Sequence, residues 1–272
     1  MHAPPALERR LGLLDAAMIV MGAIIGSGIF INPSIVASSV GHGGTIVALW
    51  VAGGAVALIG AFAFAELGVL RPQAGGQYVY LAEALHPLAG FLYGWALLLV
   101  IETGAMAAVA LTFARYFAEL CGFAATEGEL RLIALAAIAI LSAVNYLGLR
   151  PGARVQNLFT IARLAVLVAL IALAFAGGSR VAIDASPPSV APPISIGVLA
   201  AGMVPILFAY GGWQQLNYLA GEVREPRRNM PLALLLGTGG VVLVYVLVNI
   251  GYLRVLGAGG LAATRAPASE AA

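Results

Sequence analysis

Long apolar stretches make up most of the chain, and short segments rich in polar residues or proline separate them. A helix that crosses a membrane needs roughly 20 predominantly apolar residues. Seven stretches approach or exceed this length and are numbered here as spans 1 to 7: residues 13–38, 45–70, 88–111, 132–149, 155–177, 194–219 and 230–253. The pattern predicts an all-α membrane protein. Span 1 is interpreted as a helix and not as a cleaved signal, because polar residues lie at its centre.

Glycines interrupt two of these spans. Span 1 contains Gly26-Ser27-Gly28 and span 6 contains Gly211-Gly212. Paired interruptions in separate spans are typical of the substrate site of a secondary transporter, since an unwound backbone exposes amides and carbonyls to a ligand. Close helix packing through Gly22 and Gly26 is the alternative interpretation of the first interruption.

The two interruptions suit opposite charges. The second half of span 1 would begin near Ile29 with unpaired amides and the positive end of a helix dipole, which favour a carboxylate. A break near residues 209–212 would present carbonyls to an ammonium. Together they match the backbone of an amino acid. The rings of Phe208, Tyr210 and Trp213 flank the second break; Phe208 is the preferred gate, and core or interfacial packing is the alternative for all three.

Two charged residues lie inside spans, where charge is costly. Arg163 in span 5 is a candidate for a fixed charge that replaces a coupling cation, because its guanidinium stays protonated. Snorkelling to the inner surface is the alternative. Glu102 in span 3 is either a neutral acid hydrogen-bonded within the bundle or a proton-coupling carboxylate.

Composition agrees with a membrane protein: 61% of the 272 residues are hydrophobic and 10% are charged, too little polar surface to cover a soluble globule. A formal net charge of +2 gives no indication of nucleic acid as a partner. The sequence contains no metal-ligand spacing of His and Cys, no Ser/His/Asp arrangement and no phosphate-binding loop. We therefore expect no metal, no cofactor and no enzymatic activity.

Arginine placement predicts the orientation. Eight arginines fall on the side of the N-terminus and five on the opposite side, which favours a cytoplasmic N-terminus in the plasma (inner) membrane. Residues 1–12 are then a cytoplasmic segment, 13–177 hold the first five spans, and the proline-rich residues 178–193 form an outer linker. Spans 6 and 7 occupy 194–256, and the small, polar residues 257–272 are predicted as a flexible tail.

Five segments carry a family resemblance: GAIIGSGIF in span 1, AELGVLRPQAGGQYVYL from the end of span 2 onward, FLYGW in span 3, NYLGLRPGARVQNLFTIARL across spans 4 and 5, and FAYGGWQQLNYLAGEVREPRRNMP in span 6. They resemble the amino acid–polyamine–organocation (APC) superfamily and, within it, the L-type amino acid transporters. The resemblance implies the LeuT-like broken-helix inverted-repeat fold, with spans 1 to 5 as the first repeat and spans 6 and 7 as part of the second. It also implies alternating access and exchange of amino acids.

The resemblance carries over to individual residues. It implies substrate contacts at Ile25, Gly26, Ser27, Gly28, Phe208, Ala209, Tyr210 and Gly211. Arg163 falls where many relatives carry a lysine, which argues against proton coupling through this residue. Gln214 departs from the asparagine that is usual in the family.

The chain is shorter than such relatives and looks like an N-terminal fragment. The expected function is secondary-active transport of neutral amino acids by alternating access; the alternative is a truncated pseudo-transporter with only a binding or structural role. The expected partners are an amino acid substrate, the lipid bilayer, and either missing C-terminal helices or further copies in an oligomer.

Overall fold

The computed structural model describes residues 8–146, 149–177, 194–264 and 267–271, so the predicted linker 178–193 lies outside the described residues. Nearly all of the described chain is helical. The helices, numbered in chain order, are α1 Leu13–Ile24, α2 Gly28–Val40, α3 Gly43–Leu70, α4 Gln77–Ala84, α5 Pro87–Ala96, α6 Glu102–Leu120, α7 Glu127–Tyr146, α8 Leu149–Ala176, α9 Ile196–Tyr210, α10 Gln215–Tyr218, α11 Pro226–Ala263 and α12 Pro267–Glu270.

Helices occupy all seven predicted spans. Within the described ranges, five helical segments are long and apolar enough to cross a membrane, or six when the bent pair of α1 and α2 counts as one span. Helix α7, at predicted span 4, is not among them. The prediction of an all-α integral membrane protein is therefore confirmed, whereas the repeat relationship between its halves stays a prediction.

The chain divides into two compact units. One comprises Met1–Gly76 and Asn157–Ala272, and the other comprises Gln77–Gln156. The first unit contains both predicted breaks, with α1, α2, α3, α9 and α11 packed around a shared core. Spans 1 and 6, which carry the predicted substrate contacts, thus lie in one unit.

Small residues on α3 let its neighbours approach the backbone closely. A methyl group added at Gly54 would lie 2.6 Å from Val242 Cγ1 on α11, and one added at Gly53 would overlap Ile206 Cγ2 on α9. Such close contact is how membrane helices gain packing energy where lipid supplies no hydrophobic drive. Helix α3 is therefore the support against which α9 and α11 are positioned.

The chain entering α1 pairs with the chain that leaves α10. The amides of Arg10 and Leu11 donate to the carbonyl of Glu222 at 2.9 and 3.0 Å, and the amide of Arg224 donates to the carbonyl of Leu11 at 2.9 Å. Leu11 and Val223 form an isolated parallel β-bridge. These bonds tie the start of span 1 to the end of span 6.

The second unit holds α4, α5, α6 and α7. Helix α4 was not predicted from the sequence. A π-helical segment, Leu97–Ile101, joins α5 to α6, and Glu102 begins α6 directly after it. Segments of this kind interrupt the regular ladder of an α-helix and are often found at functional sites.

The predicted flexible tail, residues 257–272, contains helix in the structure. Gly257 turns the chain with a left-handed backbone (φ 67°, ψ 173°), after which helical geometry continues to Ala263 and the short α12 follows. Leu261 is buried in the core. Burial of this apolar side chain favours helix over the loop expected from the small residues of the segment.

Candidate substrate site

Span 1 is broken at residues 25–27. Helix α1 ends at Ile24, α2 begins at Gly28, and the two helices are bent by 44°. The amide of Ile25 makes the last helical bond of α1, to the carbonyl of Met21 at 2.8 Å. Ile25 is buried, whereas Gly26 and Ser27 are exposed. The second helix therefore begins one residue before the position predicted from the sequence, with its first amides at the break.

Side chains from two other helices bind the carbonyls at the end of α1. Tyr245 Oη on α11 donates to the carbonyl of Ile24 at 3.1 Å. Arg163 Nη1 on α8 donates to the carbonyl of Ile25 at 2.7 Å. A helix leaves its last carbonyls without amide partners, and these two bonds satisfy adjacent ones. Arg163 therefore contacts the first break, and its role in the site stays a prediction.

Span 6 is broken at residues 211–214. Helix α9 ends at Tyr210 and α10 begins at Gln215. Gly212 has φ 118°, a backbone conformation that side chains disfavour. Its amide donates to Gln214 Oε1 at 3.1 Å, and its carbonyl accepts the amide of Gln215 at 3.0 Å. Both hydrogen bonds of Gly212 are therefore local, within residues 212–215.

The two breaks lie against each other at main-chain distance. A methyl group added at Gly212 would overlap the carbonyl oxygen of Ala23, and one added at Gly28 would lie 3.1 Å from the Cα and Cβ of Ala209. One added at Gly26 would meet nothing within 4 Å. The structure therefore brings the predicted halves of the site together and leaves open space beside Gly26.

The aromatic residues around the second break have different roles. Tyr210 is buried and its hydroxyl donates to the carbonyl of Trp50 at 3.1 Å, so only its backbone can face a ligand. Trp213 lies over Gly60 of α3 and meets Phe64 edge to face, with ring centroids 5.1 Å apart. Phe208 is 77% exposed. It is the most exposed of the three predicted rings.

Sequence reasoning missed an aromatic cluster behind the breaks. Trp50, Tyr210 and Tyr245 are all buried, with ring centroids 5.3 to 5.8 Å apart. Asn32 of α2 was also missed; its Nδ2 donates to the carbonyl of Pro205 on α9 at 2.7 Å. A buried tyrosine hydroxyl needs a partner, so a tyrosine in the middle of span 7 was the available signal.

Glu102 belongs to the other compact unit, where it begins α6 and is half-buried. The structure does not assign it a place in the substrate site. Within the residues that the structure describes, no cluster of three or more His, Cys, Asp or Glu side chains could hold a metal ion.

Known proteins resemble this chain along most of its length. The family described as "Amino acid permease" matches residues 11–269. The human b(0,+)-type amino acid transporter 1 is 38% identical over 269 residues, which are 97% of this chain and 55% of the relative. The mouse large neutral amino acids transporter small subunit 2 is 35% identical over 271 residues, which are 97% and 51%. The chain spans about half the length of the curated relatives it matches. These names indicate transport and not enzymatic catalysis.

Proposed function

The chain belongs to the amino acid permease family, and we propose that it forms the substrate-binding part of a secondary-active transporter that exchanges neutral amino acids by alternating access. The observation that carries the proposal is the meeting of two broken helices at Gly28–Ala209 and Ala23–Gly212, beside open space at Gly26. Broken helices that meet in this way offer free amides and carbonyls to one small ligand.

The ligand backbone would lie between the two breaks. Its carboxylate faces the first amides of α2, at the positive end of that helix, and its ammonium faces the carbonyl end of α9 near Ala209 and Gly211. Residues 25–28 and 208–214 contain no carboxylate and no basic side chain. A charged ligand side chain would have no partner among them, so an uncharged one fits best.

Phe208 serves as the gate in this proposal. Its ring is exposed at the end of α9, two residues before the break, and closure over the ligand would exclude water from the charged backbone groups. The LeuT-like repeat, the cytoplasmic N-terminus and the plasma-membrane location belong to the same proposal. Support for the orientation is the arginine-rich loop around residues 224–228.

Arg163 supplies a fixed positive charge at the first break. Its bond to the carbonyl of Ile25 occupies the position at which a cation would otherwise bind freed carbonyls. Because a guanidinium does not release its proton, exchange should proceed without a sodium or proton gradient. Glu102 is the alternative coupling residue if a gradient is required.

Uptake by liposomes tests the proposal. The protein is reconstituted and supplied with radiolabelled L-leucine, with and without L-leucine inside, and with no ion gradient. We expect internal L-leucine to accelerate uptake. Gly26→Val should abolish uptake and leave the unfolding temperature unchanged, because the new side chain extends into the open space, where an added Cβ meets nothing within 4 Å.

Three results would contradict parts of this proposal. Binding without uptake would indicate a binding or structural membrane protein. Uptake that stops when a sodium or proton gradient is removed would overturn the fixed charge at Arg163 and favour Glu102. Wild-type uptake by Gly26→Val would show that the ligand does not approach the first break.

A further inference from the structure

We infer that Tyr245 is a positioning residue of the substrate site, which fixes the direction in which α1 ends and thereby places the free amides of α2. The inference rests on the proposed function for its consequence in binding. The contact from which it is argued, between Tyr245 and Ile24, is a property of the fold alone.

The hydroxyl of Tyr245 binds a carbonyl that the break has freed. Ile24 is the last residue of α1, and its carbonyl accepts Tyr245 Oη at 3.1 Å in a buried setting. A buried carbonyl without a partner is costly, and neither lipid nor the apolar core offers one. The bond therefore favours the backbone direction that aims this carbonyl at α11.

The tyrosine ring has little freedom to leave this position. Tyr245 is completely buried, with the ring of Trp50 edge to face at 5.8 Å and the ring of Tyr210 at 5.3 Å. Tyr210 is fixed in turn by its hydroxyl bond to the carbonyl of Trp50. Because packing already fixes the ring, the Tyr245 hydroxyl loses little conformational entropy when it donates its hydrogen bond. It can therefore determine the direction in which the carbonyl of Ile24 points.

The same cluster touches both breaks. Tyr245 binds the last residue of α1, and Tyr210, against which its ring packs, is the last residue of α9. A change in the direction of the end of α1 should therefore shift the end of α9, because the packed rings of Tyr245 and Tyr210 connect them. Contacts between these two side chains thus connect the carboxylate side and the ammonium side of the proposed site.

Tyr245 and Arg163 each bind one carbonyl at the first break. They hold the adjacent carbonyls of Ile24 and Ile25 from different helices. Arg163 is exposed among the described residues, whereas Tyr245 is not. The two carbonyls belong to consecutive peptide units, and each anchor orients one of them. Removal of the tyrosine hydroxyl should thus loosen the break although the charge remains.

The chain offers a matched control on the same helix. Tyr252 lies two turns beyond Tyr245 on α11 and is also completely buried, but its hydroxyl has no hydrogen-bond partner within the described part of the chain. Tyr245→Phe and Tyr252→Phe delete the same atom from the same kind of environment. Only the first deletion removes a bond to the break.

Hydrogen exchange provides the direct test. In Tyr245→Phe we expect the amides of residues 25–29 to exchange about two- to tenfold faster than in the wild type, as the loss of one net hydrogen bond implies. Amides in the middle of α3 should be unchanged. Tyr252→Phe should match the wild type at both places. These readouts separate local positioning from general stability, which would change exchange throughout the unit.

Binding of L-leucine, measured with the same purified proteins, tests the functional consequence. Tyr245→Phe should weaken the Kd by a similar two- to tenfold, whereas Tyr252→Phe should leave it unchanged. Wild-type exchange at residues 25–29 in Tyr245→Phe would overturn the inference, as would faster exchange spread evenly over the unit. Faster exchange at the break in a protein that does not bind L-leucine even as wild type would support the positioning contact and overturn the proposed function instead.

Discussion

The backbone groups that lose their helical hydrogen bonds at the two breaks in the first unit find partners in different ways. At residues 25–27 the freed carbonyls are bound by side chains from α8 and α11, which lie 138 and 221 positions away along the chain. At residues 211–214 the bonds come from within the segment, and Gly212 supplies the left-handed turn. Distant side chains thus bind the freed carbonyls of the first break, whereas the hydrogen bonds of Gly212 in the second break are local.

This difference has consequences for movement. A break held by long-range side-chain bonds can change direction when those bonds are exchanged or released, and it already bends its span by 44°. In the second break, the positive φ of Gly212 and its local hydrogen bonds do not depend on a distant side chain that could let go. The second break lies within a segment, Ile196–Glu222, that still qualifies as one membrane span. We therefore expect α1 to move relative to α2 more readily than α9 relative to α10 in the proposed transport cycle.

Gly212→Val changes the second break and should have the largest effect on the free energy of unfolding. The new side chain must adopt a φ near 118° and overlaps the carbonyl of Ala23. Backbone strain and overpacking together should lower the free energy of unfolding by about 2–6 kcal/mol. Denaturant unfolding in detergent measures this change, with Gly26→Val as the control that adds the same side chain in open space. Equal stability of the two variants would show that the second break does not depend on glycine.

Arg163→Met changes the first break and should have a smaller effect on the free energy of unfolding. It removes the bond to the carbonyl of Ile25 and keeps much of the apolar stem. Because Arg163 is exposed among the described residues, solvent screening limits the loss to about 0.5–1.5 kcal/mol.

The readouts for Arg163→Met are amide exchange at residues 25–29 and L-leucine exchange by liposomes, both of which should change. Arg163→Lys should recover part of each, since lysine restores the charge with a less directional donor. If Arg163→Met leaves exchange at the break unchanged, Tyr245 alone holds it.

The same contrast explains how far the sequence could predict the site. Gly26, Gly28, Gly211 and Gly212 stand out because glycine in the middle of a span is a local signal. Arg163 stands out because charge inside a span is costly. The second break was predicted near residues 209–212 from its glycines, and the structure has it about two residues later, at 211–214, because α9 continues to Tyr210.

The supports of the first break were not predictable in the same way. A tyrosine in span 7 indicates that its hydroxyl needs a partner, but its acceptor is a main-chain carbonyl 221 positions earlier, which the sequence does not identify. Pairing of this kind depends on how helices pack, which no local pattern contains. The helix beyond Gly257 was missed for a related reason, since burial of Leu261 outweighed the loop preference of its small neighbours.

The smallest predicted effect separates two glycines that look equivalent in the sequence. Gly28→Ala puts a methyl group 3.1 Å from the backbone of Ala209, which cannot yield as a side-chain end would, whereas Gly26→Ala meets nothing within 4 Å. Overpacking of about 1 kcal/mol at Gly28 is offset in part by the better helix propensity of alanine, so a net loss of up to about 1 kcal/mol is expected. Gly26→Ala should match or slightly exceed the wild type in stability, since alanine restricts the unfolded chain by about 0.4–1 kcal/mol.

Binding should rank the two variants in the reverse order. The methyl group at Gly26 enters the open space proposed for the ligand, so Gly26→Ala should bind L-leucine more weakly than Gly28→Ala, although it is the more stable protein. Thermal unfolding and L-leucine titration on both variants check this crossed pattern. If one variant is both less stable and weaker in binding L-leucine than the other, Gly28 is not mainly a packing position and Gly26 is not mainly a ligand position. Stability and ligand binding would then depend on the same part of the first break.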